Sequence, residues 1–257
     1  QSINIPQLDA EFSLPIDQKS QIPNQKSSVE QTGLLNIILS ESMLSFSRPS
    51  LSYSEEISWS ESRFKTQSHP LQLHGGYLQE MALNIEQTWP LEPIKRGRFA
   101  LDQSSKIGVA LDIMTTLSIM AERRGQTLTE FAWVIHKSSS PVSKKTQAGP
   151  SFYLLPFKLV LDPRSLGRLK LLEISWDASR LYLIQKNRRK RFELTRRRSS
   201  SELKTLKTEI SDIMNVISGI RGVTLRPTRS MTLQELTLIM AALAPYPVHI
   251  IPPKVSH

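Results

Sequence analysis

Apolar positions recur along this chain at helical and at strand spacing, and the first 33 residues follow neither. Residues 1–33 are rich in Gln, Ser, Asn and Pro, and Pro6, Pro15 and Pro23 interrupt any regular element. They are expected to form a flexible or draped arm. Leu34, Leu35, Ile37, Ile38, Leu39, Met43 and Leu44 fit i, i+3, i+4 spacing and predict a short docked helix. Residues 45–75 are Ser-rich, with partial alternation from Tyr53 to Trp59 that fits a short strand, and Gly75-Gly76 marks a turn. Leu78, Met81, Ala82, Ile85 and Trp89 predict a helix ending before Pro90.

The strongest helical signal begins after Asp102. Asp102 or Ser104 can cap the start, and Ile107, Ala110, Leu111, Met114, Leu117, Met120 and Ala121 form one apolar stripe. Arg123 and Arg124 sit in the last turn against the helix dipole, and Gly125 supplies a left-handed cap. Phe131, Trp133 and Ile135 then alternate as a short buried strand, and residues 138–150 read as a loop and internal boundary.

The second half changes rhythm. Phe152–Leu161 and Leu169–Trp176 are strand-forming runs, and Leu181, Leu183, Phe192 and Leu194 lie on two strands joined around Asn187. Together they predict an antiparallel β-meander of about four strands. A helix follows from Glu202 to Ile217, ended by Gly219, then a short strand at Val223 and Leu225. Thr232 and Glu235 form a capping box before Leu236, Ile239, Met240 and Leu243, and Val248, Ile250 and Ile251 suit an edge strand. Strands followed by helices predict an α+β fold in this half, beside a less regular, mixed N-terminal half. The expected organisation is an arm at 1–33, a mostly helical region at 34–140 and an α+β domain at 150–252. Residues 34–252 also suit a single core. No repeat occurs at a fixed period.

Composition narrows the classes. With no cysteine, disulfides, thiolate nucleophiles and cysteine-bearing metal sites are excluded. No apolar stretch approaches the roughly 20 residues a spanning helix requires. The sequence opens Gln-Ser-Ile-Asn-Ile-Pro; read as a mature N-terminus, it implies export to the periplasm or the exterior. Net charge is +10, unevenly spread: residues 1–75 carry five Lys/Arg and eight Asp/Glu, a net of −3, which leaves +13 for the rest. That asymmetry points to a charged surface on the C-terminal part.

Chemistry is harder to find. The five histidines show neither the i, i+4 spacing of a helical metal pair nor HExxH, so no metal site is expected. The ten glycines form no phosphate-binding loop and no nucleophile elbow, so no cofactor and no catalytic residues are assigned. Glu202-Leu203-Lys204 has a nuclease-like spacing, but in a helix's first turn its Glu answers to the dipole.

One segment stands above background. Lys186, Arg188, Arg189, Lys190, Arg191, Arg196, Arg197 and Arg198 face only Glu193 in thirteen residues. The first five sit at the tip of the expected hairpin and the last three at its base. Planar guanidinium forks suit phosphate and carboxylate oxygens, so this hairpin is a candidate site for an anionic partner: an acidic protein, lipid headgroups or nucleic acid. Arg226 and Arg229, before the helix at Thr232, form a second candidate, because free N–H groups at a helix start attract anions. The expectation is a non-enzymatic, exported binding domain with a basic hairpin. The alternative is a nucleic-acid-binding protein, although Phe192 alone offers a stacking ring within the cluster.

Overall fold

The computed structural model describes residues 3–8, 33–51, 53–60, 64–68, 74–89, 92–137, 151–166, 171–176, 180–185, 190–195, 207–208, 210–212, 215, 222–244 and 246–255. The first half supplies β1 (Gln7–Leu8), β2 (Leu34–Leu39), β3 (Met43–Arg48), β4 (Tyr53–Ser58), the small pair β5 (Gln67–Ser68) and β6 (Gly76–Tyr77), α1 (Gln79–Glu86), β7 (Arg96–Leu101), α2 (Ile107–Arg123) and β8 (Glu130–Lys137). The second half supplies β9 (Ser151–Leu159), β10 (Leu171–Trp176), β11 (Arg180–Gln185), β12 (Lys190–Thr195), β13 (Gly222–Arg226), α3 (Leu233–Leu243) and β14 (Val248–Ile250). Lys207, Thr208, Ile210, Ser211, Asp212 and Asn215, between β12 and β13, are helical.

Apart from β5 and β6, the strands form one twelve-stranded mixed sheet. Its order is β12-β11-β10-β13-β14-β9-β8-β7-β2-β3-β4, with β1 beside β8. The two halves repeat one topology. In the first, three antiparallel strands β2, β3 and β4 are followed by β7 and β8, both parallel to β2, with α1 and α2 as the crossings. In the second, β10, β11 and β12 are followed by β13 and β14 in the same relative places. The halves meet where β8 and β9 pair antiparallel over eight residues. Parallel strands need helical crossings, so helices interleave with strands throughout.

This overturns the expected fold class. The protein is not an α+β fold with an antiparallel meander followed by helices: its helices lie between parallel strands of one mixed α/β sheet. Of the four strands expected in the meander, β10, β11 and β12 form one; β9 instead joins the halves, pairing antiparallel with β8 and parallel with β14. Strand β14, expected at an edge, is interior, between β13 and β9. Three residues are too few for a periodicity signal, and their parallel partners are distant in sequence. The helix expected over Leu34–Leu44 is the hairpin β2–β3. Leu35, Ile37 and Leu39 are buried on one face, whereas Asn36 and Ile38 on the other are partly buried and exposed, the alternation of a strand, and a short apolar run satisfies both templates.

Most other elements fall close to their expected places. Helix α2 is buried from Ile107 to Ala121, including Asp112, Thr115, Thr116 and Ser118, so it is a central helix rather than a one-sided stripe. Gly125 has φ 68°, the left-handed cap expected there. Trp133 on β8 lies edge-on to Phe99 on β7 (5.6 Å between centroids) and stacks on Phe157 of β9 (5.3 Å), so one ring packs against both halves.

Residues 3–8 lie against this body. Strand β1 runs parallel to β8 beyond the stretch that β7 covers, and Leu8 is fully buried. The rest of the expected arm (9–32), the loop at 138–150, and residues 202–206 and 216–219 of the expected helix and its stop lie outside the described residues.

Candidate functional site

The starts of α2 and α3 meet. A helix leaves its first four N–H groups without helical partners. Here the Ile107 N–H donates to the Met231 carbonyl (2.8 Å) and that of Gly108 to the Arg229 carbonyl (3.2 Å). In return, Leu233 donates to the Ser105 carbonyl (3.0 Å) and Gln234 to that of Gln103 (3.1 Å). Each half thus caps the helix of the other. The capping box expected at Thr232 and Glu235 is present: the Glu235 N–H donates to the Thr232 hydroxyl, and the Thr232 N–H to the Glu235 carboxylate. Lys106, which precedes α2, makes no side-chain cap.

Asp112 lies beneath this contact with 1% of its side chain exposed. One carboxylate oxygen accepts the Gly76 N–H (2.9 Å) and Arg229 Nη1 (2.9 Å). The other accepts the Thr66 hydroxyl (2.8 Å) and Arg229 Nη2. A buried carboxylate with four donors and a two-pronged arginine is fully satisfied. The same hydrogen bonding raises the Arg229 pKa above its ordinary value. A side chain at Gly76 would collide with Thr66 and come within 2.6 Å of an Asp112 carboxylate oxygen, so only glycine brings its N–H this close.

The expected site residues divide between two ends of the sheet. Lys190 pairs with Gln185, level with the start of β10, whereas Thr195 pairs with Arg180, just past its end. Lys190 and Arg191 therefore open β12 at one end, and the chain enters Arg196 at the other, about 17 Å away at strand rise. Arg226 ends β13 at that second end, level with Ser175. Lys186, Arg188, Arg189, Arg196, Arg197 and Arg198 themselves lie outside the described residues. Both described arginines of the second candidate have carboxylate partners: Arg226 with Glu173 at 3.0 Å and Arg229 with Asp112. The first-turn N–H groups of α3 are donated within the chain as well.

Near Arg226, the Nδ1 of His74 lies 3.1 Å from the Pro252 carbonyl. Burial lowers its pKa, and the charges of Arg226 and Lys254 act in the same direction. Asp162, the acid beside it, is held low by hydrogen bonds from Arg164. A cleft of about 400 Å³ opens beside Tyr77 and Arg123. Its arginines are engaged: Arg123 Nη1 donates to the Tyr77 hydroxyl (3.2 Å), and Arg124 to the carbonyls of Glu86 and Trp89. Among the described residues, no three His, Asp or Glu side chains group as a metal site.

No family model matches the chain, and no curated protein matches it. Among solved structures it is similar to a protein of Bacteroides thetaiotaomicron VPI-5482, described as having an actin-like ATPase fold and unknown function. Identity is 12%, the match covers 89% of this chain and 94% of that one, and the TM-score is 0.23. A superposition that loose carries no argument about function.

The sequence reading missed the Asp112 junction. Its signal was an acid inside a long apolar stretch, accompanied by the Gly75-Gly76 pair.

Proposed function

We propose that this protein is a binding module that takes an extended anionic partner along strand β12. The observation that supports this reading is that β12, which opens with Lys190 and Arg191, is an outer strand of the sheet. Strand β12 is the outermost strand at one edge, and cations open it and follow it. A compact anion would engage one end. An extended acidic polypeptide can engage both ends, about 17 Å apart, and add backbone hydrogen bonds to the strand between them. The second candidate, Arg226 and Arg229, has carboxylate partners inside the chain, so the hairpin carries the reading alone.

The test is binding of poly-glutamate by calorimetry at about 50 and 500 mM salt, ionic strengths that differ several-fold in screening length. The expected result is saturable binding at low salt that weakens strongly at high salt. The Arg188→Ser, Arg189→Ser, Arg191→Ser variant should bind at least about tenfold more weakly, with a Tm near that of the parent, because exposed charges add little stability. No binding of poly-glutamate at low salt sinks the reading. Binding of single-stranded DNA or RNA in its place would transfer the hairpin to the nucleic-acid alternative.

A further inference from the structure

Residues 3–8 form a strap that is held to the body as a bound peptide would be. The Asn4 N–H donates to the Asp102 carboxylate (3.2 Å), and the Asn4 carbonyl accepts the Gln103 N–H (2.7 Å). The Pro6 carbonyl accepts the His136 N–H (2.8 Å). Gln7 closes a ring with Gln234: its N–H donates to the Gln234 side-chain oxygen (3.2 Å), and the side-chain nitrogen donates to the Gln7 carbonyl (3.0 Å). The strap contributes main-chain groups to every one of these bonds. Its side chains add two anchors, the buried Pro6 and the fully buried Leu8, while Asn4 and Gln7 are exposed. The seat therefore takes an extended, uncharged segment with apolar residues at two alternate positions.

None of these contacts ties the strap to its own copy. The nearest partner in sequence, Asp102, is 98 positions from Asn4, and Gln234 is 227 from Gln7. Between Leu8 and Gly33, which enters β2, stand the 24 residues 9–32. That number of residues spans at most about 80 Å. A strap with that reach finds, on a neighbouring copy, the same five hydrogen-bond partners and the same cover for Pro6 and Leu8. Six ordered residues held by two anchors also belong to the part of a fold that opens first, because the ordering cost offsets much of what the contacts gain.

We infer that the seat formed by Asp102, Gln103, His136 and Gln234 also docks residues 3–8 of a second copy of this chain, so that two copies exchange straps. The two contacts are then identical, and the dimer closes on itself. Exchange reuses the contacts of the single copy, so concentration decides it. A copy's own strap competes for its seat at an effective concentration on the order of millimolar. No residue of the basic hairpin takes part, so the inference stands or falls apart from the proposed function.

The chain has no cysteine, so an engineered disulfide has no competitor. Gln7 and His136 face each other across β1 and β8. Gln7→Cys and His136→Cys are prepared as two separate full-chain variants, neither of which can link within one copy. Unfolded in urea, mixed, and refolded and oxidised at about 1 mM, they should give a covalent dimer joined between positions 7 and 136, mapped by mass spectrometry. At about 5 µM the yield should fall about tenfold or more, and a chain carrying both substitutions should link as a monomer. Adding Leu8→Asp to the Gln7→Cys variant should abolish the mixed dimer with the circular dichroism unchanged. If Leu8→Asp unfolds the chain, Gln234→Ala in the His136→Cys variant takes its place and should reduce the dimer several-fold. No link between the two variants, where the doubly substituted chain links as a monomer, overturns the exchange. Failure of both links overturns the seat, and the inference with it. A link equal at both concentrations, or indifferent to both Leu8→Asp and Gln234→Ala, is random collision and overturns it as well.

Discussion

The two halves share a strand order and differ in how their equivalent helices are made. In the first half, α2 has seventeen residues, is buried over nearly its whole length, and carries Asp112, Thr115, Thr116 and Ser118 in its interior. In the second, α3 has eleven residues and a self-contained capping box. The polar groups of α2 are satisfied: Thr115, Thr116 and Ser118 donate to the carbonyls of Leu111, Asp112 and Met114, and Asp112 reaches across to Arg229. A shared topology thus leaves the sequence free to choose where the halves are fastened. Here the fastening sits in α2, and Arg229 of the other half answers it.

Asp112→Ala attacks that fastening and should have the largest effect. It strips the acceptor from Gly76, Thr66 and Arg229 together, the first buried and the other two half-buried. Urea unfolding should show a loss of about 3–4 kcal/mol, the range for breaking a buried, hydrogen-bonded ion pair. A loss below about 1 kcal/mol would mean the halves hold together without it.

The helix starts sharpen the comparison at smaller cost. Thr232→Ala removes a side-chain cap and should cost about 1 kcal/mol. Lys106→Ala, at the equivalent position of α2, should change stability by less than about 0.5 kcal/mol, because α2 is capped by carbonyls of the other half. Equal effects from the two variants would contradict the asymmetry.

The smallest expected effect is a pH dependence weighted towards the second half. Burial lowers the pKa of His249 on β14, with Lys158 adding to it, and burial lowers that of His74 beside Arg226, Lys254 and Asp162. The unfolded chain therefore takes up these protons first as pH falls. Their contribution is complete above about pH 6.5 and declines below it. Asp162, held low by Arg164, stays ionised over that window. Urea midpoints should fall between pH 7.5 and 5.5, and less steeply in His249→Gln. The change should be smaller than that of Thr232→Ala, and an unchanged slope in His249→Gln would remove this imidazole from the account.

Elements whose signals lie within a short window were legible in the sequence. The stripe, charge and stop of α2, the capping box of α3, and the alternation of β8 and β11 each reside within about twenty neighbouring residues. The cap expected from Asp102 or Ser104 is absent, since Lys106 stands at the start of α2 with no side-chain cap and Asp102 bonds Ser104 in the turn before it. What escaped depends on distant partners. Leu34–Leu39 is a strand because Arg96–Leu101 lies beside it, and Val248–Ile250 is interior because β13 and β9 flank it. The Asp112 junction escaped for the same reason: Thr66, Gly76 and Arg229 come from three separate segments, and Arg229 is 117 residues away. The basic hairpin was visible as a run of charge. That its strand β12 is an outer strand of the sheet was not.

The strap at residues 3–8 has a consequence for the order in which the protein is made. Gln7 and Gln234 exchange hydrogen bonds across 227 positions of the chain, and the Gln103 N–H donates to the Asn4 carbonyl. Residues 3–8, made before α3, are therefore secured only once α3 has emerged. Until then Leu8 stays in water and the side of β8 it covers stays open. Contacts this distant are slow to close. During synthesis, residues 3–8 wait for α3.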